Sequence, residues 1–300
     1  MIRYSVCICN YNMGDTLDRA LVSVLSQLNS DYEVLVVDDG SSDNSREILS
    51  KLAAKYPLLR VLALPRDNKR KLGETRNFSV REARGDYVIL HVDADDVWEP
   101  FIKDFVALFH RLEACLGRDV LVSGQQINMG KKSFLLQHGP YRNTHRAQDR
   151  DMWLRLAAID AYIPVDHRVF RTRLSRPKKT AFFKKIRNTW YHLLYDMRRE
   201  TSLGPYIWAC ITGVFVSRNL NMNLKSRILQ GVLCIPTFIA SRFEEPLPPP
   251  ANMQTLAEFA AYRERVRGTF PELLARNGCN SELTGLSDEA QLIFRTRLIS

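Results

Sequence analysis

The sequence predicts an α/β fold in which helices cover both faces of a mostly parallel sheet. Short apolar segments alternate with segments of helical apolar spacing through roughly the first 125 residues. The apolar segments are rich in Val, Ile and Leu, which is typical of strands that are buried on both faces. With 300 residues, of which 45% are hydrophobic, the chain is long enough for one substantial core and a smaller appendage.

The elements of this sheet follow one another in the first part of the chain. Strands are predicted at residues 4–9, 32–39, 59–64 and 86–92, and helices at residues 16–28, 45–56 and 73–84. Because strands alternate with helices, neighbouring strands are expected to run parallel. Ligands bind to such sheets at the carboxyl ends of the strands, where the polar segments "NYN", "DDGSSD" and "DADD" occur.

The composition changes after residue 166. No Asp or Glu occurs at residues 167–195, whereas nine Lys or Arg residues lie at 168–187. The segment "AFFKKIRNTWYHLLYDM" in this region places its apolar and aromatic residues on one stripe of a helix. Residues 201–217 and 228–241 carry no charge, but both segments are shorter than the roughly 20 residues needed to cross a bilayer.

Three interpretations of residues 168–242 compete. The region binds nucleic acid, packs as a structural helix on the rest of the protein, or lies on a membrane surface. Only the third explains both the apolar stripe and the excess of cations, because apolar side chains enter the headgroup boundary while Lys and Arg meet anionic lipid. We therefore expect an anionic membrane surface as a partner, and no nucleic acid.

These observations divide the chain into four predicted parts. They are an α/β domain at residues 1–166, a basic and aromatic membrane-associating region at 167–242, a Pro-rich linker at 243–250 and a helical tail at 251–300. The tail opens with a capping box, Thr255 and Glu258, which predicts a helix there.

The cysteines and the N-terminus predict a reduced compartment. The six cysteines are scattered and form no C-x-x-C pair, which argues against a disulfide framework and against structural zinc. The N-terminal segment "MIRYSVCICNYN" resembles a strand and lacks the pattern of a signal peptide, so that we expect a cytosolic location. The formal net charge of +10 favours acidic partners such as nucleotides or anionic lipid.

Two clusters of carboxylates follow predicted strands. Asp38 and Asp39 end the second strand, and Asp93, Asp95 and Asp96 follow the fourth. Clustered carboxylates repel one another and resist burial unless a cation neutralises them. Mg²⁺ and Mn²⁺ are bound by such oxygens, usually together with substrate phosphates. The second cluster therefore predicts a divalent-cation site, with a charged turn and a helix cap as the alternative.

Other features near these clusters have simpler interpretations. His91 lies inside the fourth predicted strand and is expected to be a core histidine rather than a ligand. The chain contains neither G-x-G-x-x-G nor G-x-x-x-x-G-K-[ST], which removes the main sequence support for a dehydrogenase or a P-loop enzyme.

Four segments resemble, in the same order, the motifs of family 2 glycosyltransferases. They are "VCICNYN", "VLVVDDGSSDNS", "LGETRNFSVREARGDYVILHVDADD" and "AQDRDMWLRL", and they cover roughly residues 3–160. The resemblance implies a GT-A fold and inverting transfer of a sugar from a UDP- or GDP-sugar donor. Members of the family often extend lipid-linked glycans. A glycan or polyisoprenoid-linked acceptor at the cytoplasmic side of the cell membrane would fit.

The resemblance also implies which residues bind the nucleotide. The end of the first strand, Cys9 through Tyr11, matches the segment that holds the base. Asp39 is the better match to the Asp that binds the base, with Asp38 beside it. Arg76 matches the Arg that reaches toward the nucleotide.

Asp93 and Asp95 match the D-x-D signature of the family, whose acids bind the ribose and the metal that bridges the diphosphate. Asp96 is the alternative metal ligand or supports the ligands from behind. The sequence leaves this choice open.

The last motif implies the catalytic base. Asp149 matches the Asp that takes the proton from the attacking hydroxyl, and Gln148 stands where the family usually has Glu. Asp151 is the rival, and because it lies two residues further along a helix only one of the two acids can face the cleft.

Two other functions remain open at this point. A sugar-phosphate nucleotidyltransferase also uses acids and a metal, but it would need a phosphate-binding loop that "NYNMGDTLDRA" matches poorly. A non-catalytic module that binds a sugar nucleotide or a glycan is supported only by Gln148.

Overall fold

The structure is a computed structural model that describes residues 2–142, 144, 146–174, 181–199 and 224–297. Its strands are β1 (Tyr4–Asn10), β2 (Tyr32–Asp38), β3 (Leu59–Ala63), β4 (Tyr87–Leu90), β5 (Asp96–Trp98), β6 (Leu121–Ser123), β7 (Asn128–Lys131), β8 (Tyr162–Asp166), β9 (Arg171–Arg173) and β10 (Gly268–Thr269). The first four strands lie where the sequence predicts them.

The described helices separate most of these strands. They are α1 (Gly14–Leu25), α2 (Ser45–Lys55), α3 (Leu72–Glu82), α4 (Ile102–Leu116), α5 (Lys132–His138), α6 (Gln148–Ala157), α7 (Ala181–Arg199), α8 (Leu224–Ser241), α9 (Leu256–Val266), α10 (Phe270–Arg276) and α11 (Asp288–Arg295). The capping box predicted at Thr255 and Glu258 is present at the start of α9.

The predicted α/β fold is confirmed. One sheet has the strand order β10-β8-β6-β7-β4-β1-β2-β3, and β5 and β9 form a separate two-stranded sheet. In the main sheet only β7 runs antiparallel to its neighbours, β4 and β6. Because β1 lies between β2 and β4 and is parallel to both, the polar segments that follow these three strands come together at one edge.

Both faces of the sheet are covered, as the apolar strands predict. Along β2, Val34 and Val36 belong to one core cluster, whereas Leu35 and Val37 belong to the other. All four side chains have no exposed surface. Successive residues of a strand point to opposite faces, so that a strand buried on both sides needs an uninterrupted apolar sequence.

Strand pairing connects the predicted parts of the chain. Beyond the predicted boundary at residue 166, β9 pairs with β5 of the α/β domain, and Asp96 lies opposite Arg173. Within the predicted tail at residues 251–300, β10 extends the main sheet through β8. Side chains of α10 and α11, among them Phe270 and Phe294, are fully buried in the main core.

The sequence argues against a disulfide framework, and the described residues contain one disulfide. Cys115 at the end of α4 and Cys279 after α10 form a disulfide with a Cα–Cα distance of 6.1 Å. The two cysteines are 164 residues apart in sequence, so that their spacing carries no sign of the pairing.

The basic region contains two packed helices, α7 and α8, of which α7 confirms the helix predicted there. The buried side chains of α7 include Leu193, Leu194 and Met197. No helix among the described residues combines the length and the apolar character needed to cross a bilayer. The uncharged segment 201–217 lies outside the described residues.

Candidate active site

A cavity of about 450 Å³ opens at the carboxyl ends of β1 and β4. Five residues that were predicted to bind the nucleotide or the metal line it: Cys9, Tyr11, Arg76, Asp93 and Asp95. The strand order brings them together from segments that are up to 86 residues apart. Such an edge is where ligands bind in open α/β sheets.

The three acids after β4 form a compact cluster. One carboxylate oxygen from each of Asp93, Asp95 and Asp96 lies within 4.8 Å of the others. Burial raises the pKa of Asp95; the Arg173 charge opposes this rise, whereas the neighbouring acids add to it. An all-oxygen donor set at the edge of a cavity suits Mg²⁺ or Mn²⁺, so that the residues present fit the predicted cation.

Two arginines of β9 contact this cluster. Arg173 forms ion pairs with Asp93 at 2.9 Å, with Asp95 at 3.4 Å and with Asp96 at 2.9 Å. Arg171 pairs with Asp96 at 2.8 Å. The Asp96 side chain has no exposed surface, whereas Asp93 is 36% exposed and Asp95 16%. Asp93 and Asp95 therefore face the cavity, and Asp96 anchors β9 from behind.

Asp149, the predicted base, lies at the start of α6 and contacts two residues that line the cavity. Its Oδ1 atom accepts hydrogen bonds from the Arg76 guanidinium and is 2.8 Å from His91 Nε2. Arg76 also lies 4.0 Å from Asp93, so that it connects the predicted base with the acid cluster. Burial alone would raise the pKa of Asp149, but the charges of His91 and Arg76 outweigh it and lower the pKa to about 2.

The rival acid, Asp151, has a different environment. Its side chain is fully buried and forms ion pairs with Arg155 at 2.9 Å and with Arg142 at 3.5 Å. Tyr195 of α7 donates a hydrogen bond to the same carboxylate. Asp151 thus holds α6 against its surroundings, and Asp149 is the acid that contacts the cavity wall.

His91 is buried, as expected, but it is more than a core residue. It adopts a left-handed backbone conformation, φ 66°, directly after β4, which turns its ring toward α6. With the Asn128 amide oriented to satisfy its neighbours, His91 Nδ1 donates to Asn128 Oδ1 at 3.2 Å. This bond leaves Nε2 to face Asp149. The sequence gives one hint, namely a polar ring two residues before the first Asp of "DADD".

Asp38, the last residue of β2, and Asp39 directly after it lie outside the lining of the cavity. Asp38 has no exposed surface and accepts hydrogen bonds from Asn10 and Ser41, which fixes the turn after the strand. Asp39 accepts a hydrogen bond from Arg70 Nε at 2.7 Å and lies 3.5 Å from Arg66.

Arginines that the sequence did not single out also line the cavity. Arg146, just before α6, and Arg173 join Arg76 there. At the mouth of the cavity, the guanidinium of Arg66 stacks 4.2 Å from the centre of the Tyr11 ring. Cations around an otherwise acidic cavity favour a ligand with several negative charges.

A second cavity, of about 130 Å³, shares His91 as a wall with the first. Its lining includes Gln125, Trp153, Asp166 and Arg263. The Oδ2 atom of Asp166 is buried and accepts no hydrogen bond within the described part of the chain. An aromatic ring beside amide, carboxylate and guanidinium groups is suited to binding a polar ligand.

Comparison with known proteins identifies related sequences. Residues 5–174 match the family model for glycosyl transferase family 2. An uncharacterized glycosyltransferase of Nostoc sp. is 33% identical over 153 residues, which is 46% of this chain and 47% of the relative. A cholesterol galactosyltransferase of Borreliella burgdorferi is 34% identical over 112 residues, or 37% and 30% of the two chains. The chain thus spans less than half the length of these curated relatives.

Solved structures show the same fold at low sequence identity. S. aureus TarS 1-349 in complex with UDP-GlcNAc has a TM-score of 0.52 at 15% identity, over 81% of this chain and 73% of the TarS 1-349 chain. The mannosyltransferase PcManGT from Pyrobaculum calidifontis, in complex with GDP-Man and Mn²⁺, has a TM-score of 0.51 at 17% identity, over 88% and 83% of the two chains. The likeness confirms the GT-A-type fold.

Proposed function

The chain belongs to glycosyltransferase family 2, and from that membership we propose that it transfers a sugar from a nucleotide-diphosphate sugar to a hydroxyl, with inversion at the anomeric carbon. One observation carries the proposal. The donor cavity is lined by acids suited to a divalent cation, and Arg76 in its wall contacts both Asp93 and Asp149, a carboxylate that is placed as a base. Donor activation and proton removal thereby occur side by side.

The donor lies in the 450 Å³ cavity. The base of the donor stacks near Tyr11, whose residue is 44% exposed. Arg66 connects this position with Asp39, because its guanidinium stacks on the Tyr11 ring and pairs with the Asp39 carboxylate. Arg76 and Arg146 face the diphosphate. The complexes of TarS with UDP-GlcNAc and of PcManGT with GDP-Man support a UDP- or GDP-sugar.

Asp93 and Asp95 would hold Mn²⁺ or Mg²⁺, which neutralises the charge that develops on the leaving diphosphate. Asp96 remains bound to Arg171 and supports the two ligands. The Mn²⁺ in the PcManGT complex is consistent with this assignment.

Asp149 acts as the general base. The attacking oxygen forms a bond to the anomeric carbon as the carbon–oxygen bond to the diphosphate breaks, and Asp149 accepts the hydroxyl proton. A carboxylate with a pKa of about 2 accepts a proton poorly, so that its pairing with Arg76 has to loosen. The diphosphate is the anion that competes for Arg76 and thereby frees Asp149.

The acceptor approaches from the 130 Å³ cavity, because His91 is the only wall that we find in both cavities among the described residues and it contacts Asp149. Trp153 offers an aromatic face, and the Gln125 amide and the Arg263 guanidinium offer N–H donors for sugar hydroxyls. The acceptor class is a glycan, free or linked to a polyisoprenoid.

The protein acts at the cytoplasmic side of a membrane, bound to an anionic lipid surface through α7 and α8. Four apolar side chains of α8 at helical spacing are at least half exposed: Ile228, Val232, Ile235 and Ile239. An exposed apolar stripe beside a region with nine cations and no acid matches the apolar and charged layers of such a surface.

Product analysis tests the proposed reaction. Incubation with a panel of UDP- and GDP-sugars and Mn²⁺ should release the nucleoside diphosphate of one donor, at least slowly by hydrolysis. Proton NMR of the newly formed linkage should show the anomeric configuration opposite to that of the donor. A protein that binds a donor but never cleaves it is a binding module, and retention of configuration would contradict direct displacement.

A further inference from the structure

Arg173 places its guanidinium where the acid cluster would bind a cation. Its terminal nitrogens contact Asp93 Oδ2 at 2.9 Å and Asp95 Oδ1 at 3.4 Å, and its Nε contacts Asp96 Oδ1 at 2.9 Å. One side chain thus bridges all three carboxylates. Strand pairing holds the backbone of β9 beside the acid cluster, because Leu174 N–H donates to the Asp95 carbonyl oxygen at 2.7 Å.

A divalent cation needs the same oxygen atoms. Mg²⁺ binds carboxylate oxygens at about 2.0–2.1 Å, a distance that brings it next to any guanidinium on the same carboxylates. Two cations at this separation repel each other, and each removes part of the negative charge that attracts the other. Arg173 and the cation therefore cannot both bind Asp93 and Asp95 in full.

The cluster is built so that Arg173 can leave. Its side chain is 44% exposed and already lines the donor cavity. Asp96, the buried member of the cluster, keeps a partner when Arg173 moves, because Arg171 pairs with it independently at 2.8 Å. No buried charge is left without a counterion by the exchange.

We propose that Arg173 competes with the divalent cation for Asp93 and Asp95, and that binding of the donor relieves this competition. The diphosphate gives the displaced guanidinium a new anionic partner inside the cavity. The cation therefore binds weakly alone and tightly together with the nucleotide. The second half of this inference rests on the proposed donor, whereas the competition itself does not.

The test measures Mn²⁺ affinity by electron paramagnetic resonance titration of free Mn²⁺, with no nucleotide, with UDP and with GDP. Arg173→Gln removes the charge but keeps an N–H donor for Asp96. Arg171→Gln is the matched control, since it removes the same charge from the same strand at a residue whose ion pairs do not include Asp93 or Asp95. Circular dichroism checks that both variants fold.

Without nucleotide, we expect Arg173→Gln to tighten Mn²⁺ binding at least tenfold and Arg171→Gln to change it less than threefold. The ratio of the Mn²⁺ dissociation constants without and with nucleotide should be smaller in Arg173→Gln than in the wild type. If both variants change the Mn²⁺ dissociation constant equally, the effect comes from the loss of one positive charge near the cluster and not from competition for Asp93 and Asp95, and the inference is overturned. Unchanged or weaker binding in Arg173→Gln would overturn the inference as well.

The design separates this inference from the proposed function. If neither UDP nor GDP tightens Mn²⁺ binding in the wild-type protein, the coupling and the proposed donor are both contradicted. A tenfold effect of Arg173→Gln on Mn²⁺ alone would still support the competition.

Discussion

At the scale of single residues, the protonation state of Asp149 is decided by its neighbours. Arg76 and His91 both contact the same carboxylate oxygen and hold the pKa of Asp149 at about 2 despite its burial. The carboxylate is therefore ionised at physiological pH, which is the form that a general base requires. In the proposed mechanism, the same ion pair keeps Asp149 inactive as a base until another anion engages Arg76.

We expect Asp149→Asn to abolish transfer and spare donor binding. Loss of a general base typically costs about 10²–10⁴-fold in rate, and Asp149 does not line the donor cavity. Steady-state kinetics and nucleotide titration measure the two effects. Asp151→Asn is the control for a purely structural effect. It breaks the ion pair with Arg155 and should therefore lower the melting temperature. Full transfer activity in Asp149→Asn would remove the residue from the mechanism.

The depressed pKa of Asp149 also predicts a pH dependence of stability. A carboxyl whose pKa falls on folding stabilises the protein above its unfolded value, near 3.9, and loses this contribution as pH falls toward the folded value. The difference in unfolding free energy between wild type and Asp149→Asn should therefore shrink by about 1 kcal/mol from pH 5 to pH 3. Urea titrations measure it, and a constant difference would contradict the assigned ion pairs.

Sequence reasoning located the residues that sit in recognisable motifs. Tyr11, Arg76, Asp93 and Asp95 line one cavity, and Asp149 contacts two residues of its wall. His91 is buried, as the sequence predicts, but its contact with Asp149 is not predictable from the pattern, because only the backbone turn after β4 brings its ring to α6.

At the scale of elements, the short strand β9 has the largest effect on the site. It spans three residues and pairs with an equally short strand, so that neither shows the alternation by which strands are recognised. Its sequence, "RTR", lies within the basic region for which the sequence predicts membrane binding. Pairing with β5 instead places Arg171 and Arg173 against the acid cluster, which no local pattern indicates.

The proposal of membrane binding depends on α7 and α8, the two described helices of the basic region. Replacing Val232 and Ile235 together with Asp puts two charges on the exposed stripe of α8, and we expect binding to anionic vesicles to weaken at least about tenfold. Sedimentation with phosphatidylglycerol vesicles measures this, and phosphatidylcholine vesicles report the contribution of charge. Leu292→Asp on α11, where the side chain is 66% exposed, is the matched control. Equal binding of both variants would exclude α8 from the interface.

At the scale of the whole molecule, the C-terminal segment completes the α/β domain. It adds β10 to the sheet, buries aromatic side chains of α10 and α11 in the core and lines the second cavity with Arg263 and Arg267. The sequence predicted its helices but not their position, because contacts between residues more than 100 apart leave no periodic signal.

The disulfide between Cys115 and Cys279 connects the C-terminal segment to α4, and its removal tests how much this link stabilises the domain. Removing a disulfide that joins residues 164 apart should lower the free energy of unfolding by about 2–5 kcal/mol, since the unfolded chain gains freedom. Urea unfolding of a Cys115→Ser, Cys279→Ser double variant measures the loss, and nucleotide affinity should stay unchanged. An unchanged stability would mean that the bond is absent or without effect in solution.

The central claim is that the cavity binds a nucleotide-diphosphate sugar with a divalent cation on Asp93 and Asp95. Thermal shifts with UDP- and GDP-sugars, with and without Mn²⁺, test it most directly in the wild type, Asp95→Asn and Asp149→Asn. We expect one class of donor to stabilise the wild type and Asp149→Asn in a Mn²⁺-dependent manner, and Asp95→Asn to lose that dependence. If no nucleotide sugar stabilises the wild type, or if Asp95→Asn responds as the wild type does, the claim is contradicted.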